Sequence, residues 1–288
     1  MENQAHIITK KTTAPGRRND YAEQILERLE ACQDSLHQEF FSANRINSCF
    51  VDEVLSERDA REIYAAFPQQ EEMLRLKDLR EFKYVGMQMD RFDPILEEII
   101  YAFQDPRIVA IVSQITGIEP LLPDEYLYAG GISLMHQGCF LNPHLDNSHD
   151  KDRNHYRVLN LLYYVTPDWR ETYGGNLELW DRGIKQPCRT IHSKFNRLAI
   201  MVTNQTSWHS VSQVQHPGRR CCVSNYYFSP KPAEAENYFH VTSFRGRPEQ
   251  PLRDFVLQGD LALRNGLRKV FKRGIRKPHF YRKTDGKF

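Results

Sequence analysis

Phe140-Leu141-Asn142-Pro143-His144-Leu145-Asp146-Asn147 is the stretch on which the reading of this chain turns. In an extended segment, residues two apart point to the same face, so His144 and Asp146 set an imidazole beside a carboxylate. A His-x-Asp pair by itself is a common surface arrangement, and the chain holds 11 histidines. Context separates this pair from the rest. Pro143 and the apolar run Cys139-Phe140-Leu141 precede it, and Ser207-Trp208-His209-Ser210-Val211 brings a second imidazole between strand-like runs far downstream. Two histidines and one carboxylate with open coordination positions make a facial triad, a ligand set suited to non-heme Fe(II). His149, His155, His192, His216 and His240 lack an equal strand context and partner, and read as surface or structural residues.

Strands surround this motif. Tyr126–Met135, Tyr156–Val165, Asn176–Trp180, Asn196–Thr203 and Arg219–Phe228 are rich in β-branched, aromatic and other apolar residues. Pro167-Asp168, Gly174-Gly175, Asp181-Arg182-Gly183 and Pro217-Gly218 punctuate them. Several short strands so separated predict a sandwich or jelly roll. Upstream the pattern is helical. Ile25, Leu29, Cys32 and Leu36 recur near a 3.6 period from Asp20 to about Phe41. Ser48-Cys49-Phe50-Val51 is strand-like, and Ser56 opens a helix that stops before Pro68. Asp93-Pro94 and Asp105-Pro106 each pair a capping acid with proline at the first helical position, and Gly117 closes the second of these helices. The expected fold class is therefore α+β: a jelly-roll core over 121–232, a helical support region over 46–120, and extensions over 1–45 and 233–288. The first 18 residues read as flexible, and the last extension as partly helical.

The strand 219–228 carries a second signal. Arg220, Cys222, Ser224 and Tyr226 share one face. An arginine in an apolar strand is costly to bury unpaired, and its planar guanidinium suits a carboxylate. It could instead reach solvent or a protein acid, and Arg219, pointing the other way, competes for any such role. On the neighbouring strand, Tyr164 is either a core aromatic or a hydroxyl at a pocket mouth that needs a partner.

Taken in order, the stretch Gly138–Phe228 resembles the prolyl-hydroxylase-like branch of the 2-oxoglutarate and Fe(II)-dependent oxygenases. The residues that carry the likeness are Phe140 through Asn147, Leu161-Leu162-Tyr163-Tyr164-Val165 with Trp169, Gly174 through Leu179, Phe195-Asn196-Arg197-Leu198, His209-Ser210-Val211, and Arg220 through Phe228. They cover about a third of the chain. The resemblance implies a double-stranded β-helix core, with Fe(II) on His144, Asp146 and His209 and with 2-oxoglutarate and O2 as cosubstrates. It implies Arg220 on the distal carboxylate of 2-oxoglutarate, Tyr164 assisting, Ser224 near the same end, and Leu177 as an apolar wall. Many members carry a tyrosine upstream of the His-x-Asp motif that contacts the cosubstrate; here Met135 or His136 stands at that place. The implied reaction is hydroxylation of an unactivated carbon in a small molecule, amino acid or peptidyl substrate. A protein prolyl hydroxylase and a non-enzymatic jelly-roll binding protein are the alternatives.

Composition narrows the classes further. A hydrophobic content of 40% and a charged content of 26% are ordinary for a globular protein, and a net charge of +2 gives no global pull toward nucleic acid. Lys151, Arg153 and Arg157 are the cations nearest the His-x-Asp motif. The six cysteines form no C-x-x-C pair and read as reduced thiols, and Met1 to Asp20 contains no apolar leader, so a cytoplasmic location is expected. From Arg264 to Phe288 there are ten Lys or Arg residues against one acid, Asp285. Such a run is usually a solvated tail; the sharper expectation is an anionic partner.

Overall fold

The computed structural model describes residues 17–128, 130–234, 237–260 and 281, and 261–270 as backbone. Its helices are α1 (Arg17–Ala31), α2 (Gln33–Phe40), α3 (Glu57–Ala65), α4 (Pro94–Ala102), α5 (Pro106–Thr116) and α6 (Pro251–Val270). The caps behave as their residue types require. Ser56 Oγ accepts the Asp59 N–H at 3.2 Å, Asp93 accepts the Ile95 N–H, and Asp105 accepts the Arg107 N–H. Gly117 ends α5 at φ 67°, a left-handed turn that costs glycine little. The single helix expected from Asp20 to Phe41 is two, broken at Cys32 with φ −116° and ψ 7°. It also starts earlier than expected. Arg17 pairs with Glu62 and Arg18 with Glu98 at 2.8 Å, which ties the first turn of α1 to α3 and α4. The remainder of the segment read as flexible, residues 1–16, lies outside the described residues, as do 271–280 and 282–288 of the basic tail. Among the described residues no helix is long and apolar enough to cross a membrane.

Thirteen strands form one antiparallel sheet among the described residues. They are β1 (Ser48–Asp52), β2 (Leu74–Lys77), β3 (Glu81–Gly86), β4 (Leu122–Pro123), β5 (Gly131–Met135), β6 (Phe140–Leu145), β7 (Tyr156–Tyr164), β8 (Leu177–Leu179), β9 (Arg189–Ile191), β10 (Arg197–Val202), β11 (His209–Val211), β12 (Arg220–Ser229) and β13 (Ser243–Phe244). The hydrogen-bonded order is β1-β10-β7-β12-β5-β3-β6-β11-β8-β9. Along this path the sheet folds back on itself as a double-stranded β-helix, with the β6-β11-β8-β9 half lying across a cavity from β7, β12 and β5. β7 sits between β10 and β12 in the sheet, with one face toward the cavity and the other under the helical layer, so both of its faces are largely apolar. Asn160 and Leu162 face the cavity. Tyr163 faces outward against Phe103, and Tyr227 on β12 donates to the Phe103 carbonyl, so the end of α4 covers this side.

The segment 46–120 is not purely helical. Besides β1 it supplies β2 and β3, and β3 bridges the two halves by pairing with both β5 and β6. The strand expected from Tyr126 begins at Gly131, because Leu127 adopts a positive φ and Asp124 caps the turn through the N–H groups of Tyr128 and Gly130. Asn196 joins the helical layer to the sheet. At φ 59° it turns the chain into β10, and its side chain accepts from the Leu55 N–H at 3.0 Å and the Tyr163 hydroxyl at 2.7 Å. Its amide donates to the Leu55 carbonyl at 2.6 Å. Asn196→Ala would strand these buried groups. Each such loss costs about 1–3 kcal/mol, so the substitution should lower unfolding stability in urea by about 2–4 kcal/mol. A change below about 0.5 kcal/mol, the level of a neutral surface substitution, would deny Asn196 this role.

Candidate active site

The cavity between the halves has a volume of about 1000 Å³. β6 and β11 pair with His209 directly opposite His144, and Asp146 follows just beyond the end of β6. Asp146 Oδ1 lies 3.7 Å from His144 Nε2, and Oδ2 lies 3.5 Å from His209 Nε2. One ligand atom from each residue falls within 4.8 Å of the others. Both rings are set the same way. His144 Nδ1 contacts the Asn142 carbonyl at 3.0 Å and His209 Nδ1 the Ser207 carbonyl at 2.9 Å. A carbonyl only accepts, so each Nδ1 carries the proton and each Nε2 keeps its lone pair free for a metal.

Electrostatics favour the same donor set. Burial, reinforced by His209, pushes the His144 imidazole down to about 3, and burial lowers His209 as well. Burial alone would raise the Asp146 carboxyl, but the Arg157 guanidinium at 3.1 Å and the Asn160 amide at 2.8 Å hold it below the usual carboxylate range. Arg157 is itself buried, donates to Asn160 Oδ1 at 3.1 Å, and lies 3.6 Å over the Tyr226 ring. It is therefore no part of a basic surface groove. Two neutral nitrogens and one anionic oxygen, oriented by further hydrogen bonds, fit Fe(II).

The remaining sequence-derived residues converge on the same cavity. Arg220 is 3% exposed and lines it; Nε contacts Ser193 Oγ at 3.5 Å, and no carboxylate among the described residues pairs with it. The guanidinium lies 4.7 Å over the Tyr164 ring, whose hydroxyl is buried without a hydrogen-bond partner among the described residues. Ser224 and Leu177 also line the cavity. Arg219 points away, to the Phe67 carbonyl at 3.3 Å and over the Tyr64 ring. Met135, opposite Arg220 in register, faces the cavity, whereas His136 turns out against Tyr84. The outer rim holds residues that sequence reading set aside. His149 and His240 line it with Phe239, Tyr128, Lys151 and Arg153. His155, by contrast, pairs with Asp150, His192 contacts the Trp169 carbonyl, and His216 stacks on Tyr173.

A family model described as the 2OG-Fe(II) oxygenase superfamily matches residues 130–228, the segment that bears all three ligand candidates and Arg220. Over this segment the chain is similar to the 2OG-Fe(II) oxygenase superfamily. The prolyl 3-hydroxylase OGFOD1 of Mus musculus is 28% identical over 96 residues, which is 32% of this chain and 17% of that relative. The chain thus matches well under two thirds of the curated relative's length. A prolyl 4-hydroxylase structure from Phytophthora capsici aligns over 92% of this chain and 78% of its own at 16% identity and a TM-score of 0.52, which shows a common fold. A prolyl-4-hydroxylase from Pseudomonas putida aligns over 68% and 99%, at 13% identity and a TM-score of 0.49.

Two outcomes are expected of a site so built. Asn160→Ala removes the amide that orients Asp146, and metal affinity measured by calorimetry should fall about 10- to 100-fold; an unchanged affinity would show that Asn160 is idle. The second concerns acid. His144 and His209 are neutral when folded and gain protons on unfolding, where the ordinary value is 6.5. The stability His144 contributes is present above pH 6.5 and is lost as the pH falls from there towards 3, and that of His209 is lost in the same direction. As the pH falls through this window, the unfolding free energy of the metal-free protein should drop by at most about 1.4 kcal/mol per pH unit for each histidine, and His144→Gln should flatten the slope. Identical slopes in the two proteins would contradict the neutral assignment.

Proposed function

We propose that this protein is an Fe(II)- and 2-oxoglutarate-dependent dioxygenase that hydroxylates an unactivated carbon of a small molecule, amino acid or peptidyl substrate. The observation that carries the reading is Arg220, buried without an acidic partner among the described residues in the cavity that also holds the His-Asp-His cluster. A hydrolytic zinc site would use the three ligands but has no need of such a cation. Lys83, a second cation on the cavity wall, already pairs with Glu81 at 2.9 Å.

His144, Asp146 and His209 would hold the Fe(II). With 2-oxoglutarate and O2 bound, the metal would supply the chemistry that couples decarboxylation of 2-oxoglutarate to succinate and carbon dioxide, one oxygen atom of O2 entering succinate and the other a substrate C–H bond. The chain's own residues do the rest. Arg220 takes the distal carboxylate by a bidentate contact, which fixes the cosubstrate along the cavity axis. The Tyr164 hydroxyl gains the acceptor it lacks, and Ser224 offers another hydroxyl on the same strand face. Leu177 closes the opposite wall and excludes water. Arg157 and Asn160 keep Asp146 ionised and pointed at the metal position. The substrate enters by the rim of Tyr128, His149, Phe239 and His240. Similarity to a prolyl 3-hydroxylase favours a peptidyl proline as the second reading. All six cysteines are free, which supports a reducing, cytoplasmic setting.

The test is a substrate screen reading succinate release, with metal content measured alongside. His144→Ala and Asp146→Ala should lose both turnover and metal, and metal binding that persisted unchanged in His209→Ala would overturn the ligand assignment. Arg220→Ala should keep its metal while raising the half-saturating 2-oxoglutarate concentration by about one to two decades, the equivalent of a lost charge-assisted contact of about 1.5–3 kcal/mol. A large effect in Arg219→Ala with Arg220→Ala silent would move the anchor to its neighbour. Prolyl peptides run beside free amino acids in the same screen separate the two substrate readings.

A further inference from the structure

α6 docks on the body of the protein through one side. Leu257 is buried, Asp254 accepts from Arg245 at 2.7 and 2.8 Å, Asp260 pairs with Arg80 at 2.7 Å, and Arg253 lies 5.3 Å over the Phe140 ring. The helix's acids in this turn region are thus turned inward and neutralised. The other side carries Leu252, Phe255 and Val256, which are 83%, 78% and 50% exposed. Their i, i+3, i+4 spacing makes a continuous apolar stripe. Scattered exposed apolar residues need no explanation, whereas adjacent large ones mark a contact surface. The same helix leads into the basic stretch 264–288, with its ten Lys or Arg and single acid.

We propose that α6 seats on the surface of an anionic lipid bilayer, with Leu252, Phe255 and Val256 at the headgroup–acyl boundary and the basic stretch against acidic headgroups. An interfacial segment needs both an apolar face and basic charge, and residues 251–288 carry both, the apolar stripe at 252–256 and the cations from Arg264 onward in the sequence. A second copy of the chain would cover the stripe but bring two sets of ten cations together. A nucleic acid would engage the cations and leave the leucine and phenylalanine in water. The 20-residue helix lies on the bilayer rather than crossing it, because its inward side is committed to the protein.

The experiment uses full-length protein and vesicle flotation, with phosphatidylcholine alone and with phosphatidylcholine plus phosphatidylglycerol. Binding is expected only with the acidic lipid. It should weaken steeply with salt, since the Debye length shrinks from about 10 Å at about 0.1 M to about 3 Å at about 1 M. Leu252→Glu with Phe255→Glu should lower vesicle affinity about tenfold or more while the thermal midpoint in solution stays unchanged. Charge reversal by Lys272→Glu with Arg273→Glu should weaken binding to acidic vesicles as well. The proposal falls if no vesicles bind, if neutral vesicles bind equally, or if the double glutamate variant binds as before. It also falls if that variant loses stability in solution, which would show the chain covering its own stripe, or if it abolishes self-association in protein that binds no lipid.

Discussion

One backbone register governs the centre of this molecule: β6 pairs with β11 so that His209 stands opposite His144. Side chains alternate along a strand with period two, so a slip of one residue would send either imidazole to the outer face and dissolve the ligand cluster. The pairing is held from both directions. β8 fixes β11 from its far edge, with Leu179 opposite His209, and β13 flanks β6, with Phe244 opposite His144. Phe244 also stacks on the His144 ring at 5.1 Å. The helical layer acts at a distance, by bracing β7 and β12, whose inner faces supply Asn160 and Arg220.

Charge is distributed in the cavity with similar economy. One buried cation, Arg157, is already paired with Asp146 and belongs to the metal position. Another, Arg220, has no such partner among the described residues, and that difference is what the proposed binding role rests on. Burying a guanidinium without a counter-charge is costly. A guanidinium so placed is suited to an anion entering that end of the cavity, as proposed above for the distal carboxylate. The Tyr164 hydroxyl, buried beside it without an acceptor, makes the same statement in a neutral group.

Much of this was legible in the chain where the physics is local. Ser56, Asp93, Asp105 and Gly117 act as caps within a few residues of themselves, and β7, β10 and β12 declare themselves by apolar content. The choice of Arg220 over Arg219 followed from alternation along one strand. β2 and β3 went unread inside the region expected to be helical, because Arg75, Lys77 and Lys83 interrupt the apolar pattern, although Leu74, Leu76, Phe82 and Tyr84 carry a two-residue alternation around the Asp78–Arg80 turn. Arg157 escaped for a longer-range reason. The β7–β12 register shifts between Tyr227 and Phe228, opposite Leu159 and Arg157, and the simple alternation that would turn Arg157 outward fails there. His240 lies beyond the core in a segment without strand character, so only the folded chain brings it to the rim.

The three ligand candidates differ in what keeps them aimed. Each histidine leans on a main-chain carbonyl two residues back, a group that every amino acid possesses. Asp146 leans on the side chains of Asn160 and Arg157, which other residues would not replace. Drift at Asn142 and Ser207 therefore leaves those two carbonyl contacts intact, while drift in β7 reaches the third arm directly. The site is robust on two sides and adjustable on one, and a lineage retuning its metal chemistry would find β7 the strand on which variation has purchase.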